Sequence, residues 1–131
     1  AMKALRHICD SISETSAFPL ISMGDFNDTP DAEAFSLVEG VLVNKGTDLH
    51  MKGVGSIRYE GRWELIDMFM VSPEIDKVTQ MEVCRVPFLM TWEKKHPGEK
   101  PLRTYSGPGY IGGVSDHCPI VLWYFNDNSY L

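Results

Sequence analysis

Two carboxylates, an amide and an imidazole stand in short stretches of this sequence where their types and spacing could do acid–base chemistry. The stretch GDFNDTP, from Gly24 to Pro30, places Asp25 and Asn27 two residues apart after the apolar run FPLISM. On an extended segment these two side chains point to the same side. A carboxylate can orient a water molecule there while an amide donates a hydrogen bond to a developing oxyanion. The alternative is an acidic turn that is only solvated.

The second carboxylate, Asp67, stands inside the long apolar run WELIDMFMV, from Trp63 to Val71. A buried carboxylate without a partner costs several kcal/mol, so Asp67 needs a hydrogen-bonding or cationic partner unless it is protonated. One interpretation bonds it to nearby backbone or to Arg62. The other gives it a functional partner from elsewhere in the chain.

The stretch GGVSDHCP, from Gly112 to Pro119, places His117 beside Asp116 at the start of an apolar strand. The preceding glycine pair allows the backbone to bend sharply. A buried aspartate beside this imidazole would hold one tautomer and favour a cation that can meet a phosphate. Without such a partner, His117 is a surface histidine with no special role.

A basic segment, EKKHPGEKPLR, runs from Glu93 to Arg103 and contrasts with the net charge of −6 for the whole chain. That acidic balance disfavours a tight, sequence-independent hold on duplex DNA, although nucleic acid stays possible. The segment is either a solvated loop or a lining for phosphate groups. Its candidate substrate-binding residues are Lys94, Lys95, Lys100 and Arg103.

Helical and strand patterns alternate along the chain and predict an α/β domain. Apolar residues at helical spacing predict a first helix from Met2 to about Ile12, and Thr29 and Pro30 predict the beginning of a second, which ends near Glu39. The segment from Thr91 to Gly113 is predicted to be a long surface loop. The predicted strands are LISMG, SIRYE, WELIDMFMV, VTQMEVCRVPFLM and CPIVLWYF.

Length and composition exclude several classes of protein. The 131 residues, 44% of them hydrophobic, suffice for one domain with a core and are too few for two. No apolar run approaches the length of a membrane span. The three cysteines cannot all pair within the chain, and their spacing matches no zinc site. The sequence does not identify a cellular compartment.

Taken together and in this order, GDFN, WELIDMFMVS and SDHCP, each at a strand end, resemble the carboxyl-terminal half of the endonuclease/exonuclease/phosphatase family. This family has the deoxyribonuclease-I-like fold, a four-layer α/β/β/α sandwich. The resemblance implies a mostly antiparallel or mixed sheet with two helices on one face. The stretches GRWELIDMFMVS and KPLRTYSGPGYIGGVSDHCP look most like members from Bacteroidetes bacteria, which implies a bacterial protein whose full-length form is compatible with export.

The resemblance also implies a role for each residue in the hydrolysis of a phosphate ester by water with Mg²⁺ or Mn²⁺. Asp25 would orient or deprotonate the water, and Asn27 would donate a hydrogen bond to a phosphoryl oxygen. Asp67 would pair with His117, which contacts the phosphate as an imidazolium. The metal would lie near Asp25, Asn27 and Asp116.

The family's amino-terminal half supplies an asparagine and the glutamate that is the principal metal ligand, and the sequence offers no candidate for that glutamate. Residues 1–131 are therefore expected to be a single partial domain with little or no activity of its own. It would act with a missing amino-terminal half. The alternative is a self-associating, non-catalytic half-domain whose site residues are vestigial.

Overall fold

The computed structural model describes residues 1–125, which form two α-helices, three 3-10 helices and eleven short strands. The helices are α1 (Met2–Thr15) and α2 (Thr47–Met51), with 3-10 helices at Glu33–Val38, Pro73–Val78 and Pro87–Leu89. The strands are β1 (Ile21–Asp25), β2 (Val43–Asn44), β3 (Ile57–Tyr59), β4 (Arg62–Glu64), β5 (Asp67–Val71), β6 (Thr79–Val83), β7 (Met90–Glu93), β8 (Gly98–Pro101), β9 (Tyr105–Ser106), β10 (Gly109–Tyr110) and β11 (Ile120–Tyr124).

Strand pairing is antiparallel in every sheet that the described residues form. The sheet that carries the site has the order β1-β5-β2, and a second sheet pairs β11 with β6. Three hairpins, β3-β4, β7-β8 and β9-β10, complete the strands. The prediction of an α/β protein with mostly antiparallel strands is confirmed.

The core lies around β5, whose apolar residues alternate between the two faces of the sheet and are buried on both. Met68, Met70 and Val71 have no exposed surface, and neither has Leu65 just before the strand. Helix α1 packs on the 3-10 helix at Glu33–Val38 and extends this core. Burying side chains of this size stabilises the fold by about 1.5–3 kcal/mol each relative to exposure.

Only part of the predicted apolar stripe on α1 faces the core. Cys9 is buried and Leu5 is half-buried, but Ile8 and Ile12 are exposed. The helix itself is confirmed, and it continues to Thr15, three residues beyond the prediction. An exposed ion pair between Arg6 and Asp10, one turn apart, adds a few tenths of a kcal/mol.

The predicted second α-helix is wrong in type and in where it begins. Thr29 does not cap a helix, because its hydroxyl donates to the Asp31 carboxylate at 2.6 Å. The backbone N–H of Ala32 donates to the carbonyl of Thr29 and closes a turn. A 3-10 helix then begins at Glu33. Local side-chain hydrogen bonds of this kind compete with the helical ones, and so the turn persists where a helix was expected.

The long strand predicted for WELIDMFMV is divided in two. Its first part, β4, pairs with β3, whereas its second part, β5, pairs with β1 and β2. The division falls at Leu65 and Ile66, where the chain leaves one sheet for another. Asp67 consequently begins a strand, at the sheet's end, and does not stand in the middle of one.

The predicted long loop from Thr91 to Gly113 is also wrong, because this segment contains two hairpins. Strands β7 and β8 pair around the turn that holds Lys94 and Lys95, and β9 and β10 pair around Gly107 and Pro108. Gly107 has a φ of 57°, which glycine adopts without strain. The strand predicted for VTQMEVCRVPFLM is shorter than expected. Strand β6 ends at Val83, and a 3-10 helix begins at Pro87.

The structure bears on the cysteines and on membrane-spanning helices. All three cysteines are free; Cys9 and Cys118 are buried, and burial raises the pKa of both thiols. Across residues 1–125, no helix combines the length and the apolarity that crossing a membrane requires.

Candidate functional site

Two aspartates face each other at one end of the central sheet. Asp25 is the last residue of β1 and Asp67 is the first of β5, and the antiparallel register pairs them directly. Residues paired in this way carry side chains on the same face of the sheet, a few ångströms apart. Like charges placed opposite each other repel, so this end of the sheet favours a cation or hydrogen-bond donors beside the two carboxylates.

His117 supplies one such donor. Its Nδ1 lies 2.7 Å from Oδ2 of Asp67, and both side chains are partly shielded from solvent. An ionised carboxylate only accepts hydrogen bonds, so this contact places a proton on Nδ1 and leaves Nε2 for solvent or a ligand. The contact between Asp67 and His117 that the family resemblance implied is present, and Arg62 is not the partner.

Ser56 is a site residue that the sequence analysis missed. It is fully buried, and its hydroxyl donates to Oδ2 of Asp67 at 2.6 Å. Oγ of Ser56 in turn accepts the backbone N–H groups of Ile66 and Asp67, each at 3.2 Å. Ser56 thus fixes the carboxylate and satisfies the backbone where β4 gives way to β5. A serine before a short strand gives no sequence signal of this role.

Glycine at position 113 brings His117 to the sheet. A Cβ at Gly113 would lie 1.8 Å from the backbone oxygen of Leu102, so no other residue fits without moving the chain. Beyond it, His117 forms a bridge to Ile57, and the N–H of Cys118 donates to the carbonyl of Ser56 at 2.6 Å. The expected bend lies at Gly112, whose φ of 81° glycine adopts without strain, while Gly113 is required by the close approach.

Asn27 lies beside Asp25, but on a turn. Its φ is 52°, a left-handed conformation that asparagine tolerates better than most residues. Its backbone N–H donates to Oδ1 of Asp25 at 2.8 Å. The extended segment assumed from the sequence is wrong here, and the hydrogen bond from the turn holds the exposed carboxylate of Asp25 in place.

Asp25, Asp67 and His117 form a group that could hold a metal ion. One ligand atom from each lies within 4.8 Å of the others. Because Nδ1 of His117 and Oδ2 of Asp67 are engaged with each other, the remaining carboxylate oxygens are the donors that suit a hard cation such as Mg²⁺. Mg²⁺ is commonly bound through one or two carboxylates, with water and substrate oxygens as its other ligands, and this donor set fits that pattern.

Asp116 and the basic residues lie outside this group. The Asp116 carboxylate lies 3.5 Å from the Arg103 guanidinium. Lys95, Lys100 and Arg103 line a separate cavity, whereas Lys94 is exposed on the hairpin turn and is not among its lining residues. Lys94 therefore does not join the other three basic residues in lining this cavity.

Comparison with known proteins gives one match. A model described as the endonuclease/exonuclease/phosphatase family matches residues 1–126, which is nearly the whole sequence. No curated protein and no solved structure matches the chain. The comparison carries no information on the bacterial group. Given a match of this extent, the chain belongs to the endonuclease/exonuclease/phosphatase family.

Proposed function

We propose that this chain contributes the catalytic residues of a divalent-metal-dependent phosphoester hydrolase, acting on a phosphodiester or a phosphate monoester. Family membership supports hydrolysis of the phosphoesterase or nuclease type. The observation that carries the proposal is the meeting of Asp25, Asp67 and His117 within 4.8 Å from three distant parts of the sequence. Because the net charge is −6, we rank a sequence-independent nuclease of duplex DNA below the other phosphoester hydrolases.

In this mechanism the chain's own residues orient water and hold charge on the phosphate. Asp25 accepts a proton from the attacking water, and Asn27 donates a hydrogen bond to a phosphoryl oxygen as charge develops. Nε2 of His117 faces the phosphate as an imidazolium, which Asp67 and, behind it, Ser56 hold in position. A divalent ion held by the carboxylates of Asp25 and Asp67, with Asn27 nearby, would supply charge neutralisation for the phosphate oxygens.

The described residues bring no glutamate into this group, so we expect weak metal binding and slow turnover. A glutamate from the family's amino-terminal half would raise the affinity by adding a carboxylate. We accordingly propose that residues 1–131 form the carboxyl-terminal part of the family's four-layer sandwich.

Release of p-nitrophenolate from bis-p-nitrophenyl phosphate tests the proposed function. With Mn²⁺ or Mg²⁺ we expect slow turnover at most, and we expect EDTA and the Asp25→Ala substitution each to abolish it. Asp28→Ala is the matched control, since Asp28 is a neighbouring exposed acid outside the group. Hydrolysis that persists in EDTA and in Asp25→Ala would contradict the assignment. Fast turnover by the unmodified chain would overturn the expectation of a weak site.

Exposed apolar side chains beside β1 favour a second candidate function, self-association. Phe18 is 82% exposed and Met23 is 70% exposed, while β1 is an edge strand of its sheet in the described part of the chain. An exposed apolar edge is a ready site for pairing. In this candidate a second copy covers that edge and the residues of the site are vestigial.

Size-exclusion chromatography with light scattering tests this candidate. We expect a mass near twice the 14.8 kDa of one chain, and we expect Met23→Lys to return it to that of one chain. Met51→Lys is the matched control, because Met51 is equally exposed at 72% but lies on α2. A strict monomer at high concentration would exclude self-association through β1.

A further inference from the structure

A cavity beside the β7-β8 hairpin has more cations than anions among its lining residues. It has a volume of about 360 Å³, within the range of small-molecule sites, and lies between β3 and the β7-β8 hairpin. Its charged lining residues are Arg58, Glu60, Glu93, Lys95, Lys100 and Arg103, together with His96. With four cations against two anions, the cavity lining carries a net positive charge, although the whole chain carries a net charge of −6. A positively charged lining suits an anion.

The one acid deep in the cavity, Glu93, is already neutralised. Its carboxylate lies 3.2 Å from Lys100, 3.4 Å from Arg58 and 3.6 Å from His96. Burial raises the pKa of Glu93, but the hydrogen bond and charge of Lys100 and the charge of His96 outweigh it, and the net pKa is below its usual value. Glu93 therefore stays ionised and holds these cations at the cavity wall.

Lys95, which also lines the cavity, differs from the cations that Glu93 holds. Its side chain is exposed, and its ammonium makes no ion pair with the residues that the structure describes. Lys95 is therefore the lining cation that is most available to an anion.

The cavity is connected to the candidate site through Arg103. The guanidinium of Arg103, on the cavity wall, lies 3.5 Å from the carboxylate of Asp116, the residue before His117. A substrate held at His117 therefore has the Arg103 wall of the cavity nearby for a second group.

We propose that this cavity binds a second phosphate group of the substrate, a terminal phosphomonoester separate from the ester that is hydrolysed. This inference rests on the proposed function for the identity of the substrate, but the anion site is a property of the cavity itself. A phosphomonoester dianion offers several acceptor oxygens, which match the ammonium groups of Lys95 and Lys100, the Arg103 guanidinium and the Ser106 hydroxyl.

Isothermal titration with inorganic phosphate in EDTA tests the anion site. We expect the paired substitution Lys95→Gln and Arg103→Gln to weaken binding at least about tenfold, as the loss of charge-assisted hydrogen bonds requires. Both residues are exposed, so the fold should tolerate the change. The control pair, Lys3→Gln and Lys94→Gln, removes the same charge from exposed positions that do not line the cavity.

Unchanged affinity in the cavity pair, or an equal loss in the control pair, would overturn the proposal, because binding would then depend on net charge alone. Hydrolysis plays no part in this measurement. If the chain proves not to be a hydrolase, the result on phosphate binding still stands. If the cavity proves not to bind phosphate, the test of hydrolysis still stands.

Discussion

Replacing Asp25 by alanine is expected to raise the dissociation constant for Mn²⁺ at least about tenfold, since even residues that only support a ligand change metal affinity by about 10–100-fold. Asp25 is the exposed carboxylate of the group, and its free oxygen is the most accessible donor there. Asp67 already accepts hydrogen bonds from Ser56 and His117 and contributes less to the ion. Electron paramagnetic resonance of free Mn²⁺ in a titration measures the change directly.

The control for this substitution is again Asp28→Ala, which removes the same charge three residues further along the turn. Its carboxylate accepts the N–H of Thr29 at 3.1 Å and is not in the group. We expect it to leave Mn²⁺ affinity within about twofold, the size of a screened long-range charge effect. Equal losses in Asp25→Ala and Asp28→Ala would show that Mn²⁺ is held by the acidic turn in general.

Removing the Asp67 carboxylate should produce the largest loss of stability among the site substitutions. Asp67→Ala leaves the buried hydroxyl of Ser56 and Nδ1 of His117 without their shared acceptor. Each buried group that loses its partner costs about 1–3 kcal/mol, so we expect the free energy of unfolding to fall by about 2–4 kcal/mol. Urea unfolding followed by circular dichroism measures this difference.

The Asp67→Asn substitution distinguishes two effects of Asp67, its contribution to stability and its control of the His117 tautomer. Its amide oxygen can accept from Ser56, while its NH₂ group faces Nδ1 of His117 and requires that nitrogen to accept. We therefore expect a smaller loss of stability and a switch of the neutral imidazole to the tautomer protonated on Nε2, visible in ¹⁵N NMR shifts. Asp116→Ala, which breaks only the exposed pair with Arg103, should change stability by less than about 0.5 kcal/mol. An unchanged tautomer in Asp67→Asn would contradict the role given to Asp67.

The candidate site was predictable mainly because three short patterns together resemble one family, whereas each pattern alone was weak. Asp67 stands in an apolar run, and such a carboxylate requires a partner, but the run itself left backbone and Arg62 open as partners. The resemblance implied His117 as the partner, and the structure places it there at 2.7 Å. The roles of these residues stay proposals.

Other parts of the site depend on tertiary contacts that have no local signature. Ser56 gains its role because β4 and β5 belong to different sheets, and the run WELIDMFMV does not show that division. The conformation of Asn27 follows from its N–H bonding to Asp25, which a two-residue spacing cannot distinguish from an extended strand. The hairpins from Met90 to Tyr110 were missed because their strands are only two to four residues long, too short to show an alternating pattern.

The most direct test of the account is where Mn²⁺ binds, measured as the loss of backbone amide NMR signals by paramagnetic broadening in a titration. The account predicts that the first signals to disappear belong to Asp25, Asn27, Asp67 and His117, four residues that only the folded chain brings together. Broadening that begins instead at other acidic positions, such as Asp48 or Asp76, with these four signals unaffected, would contradict it.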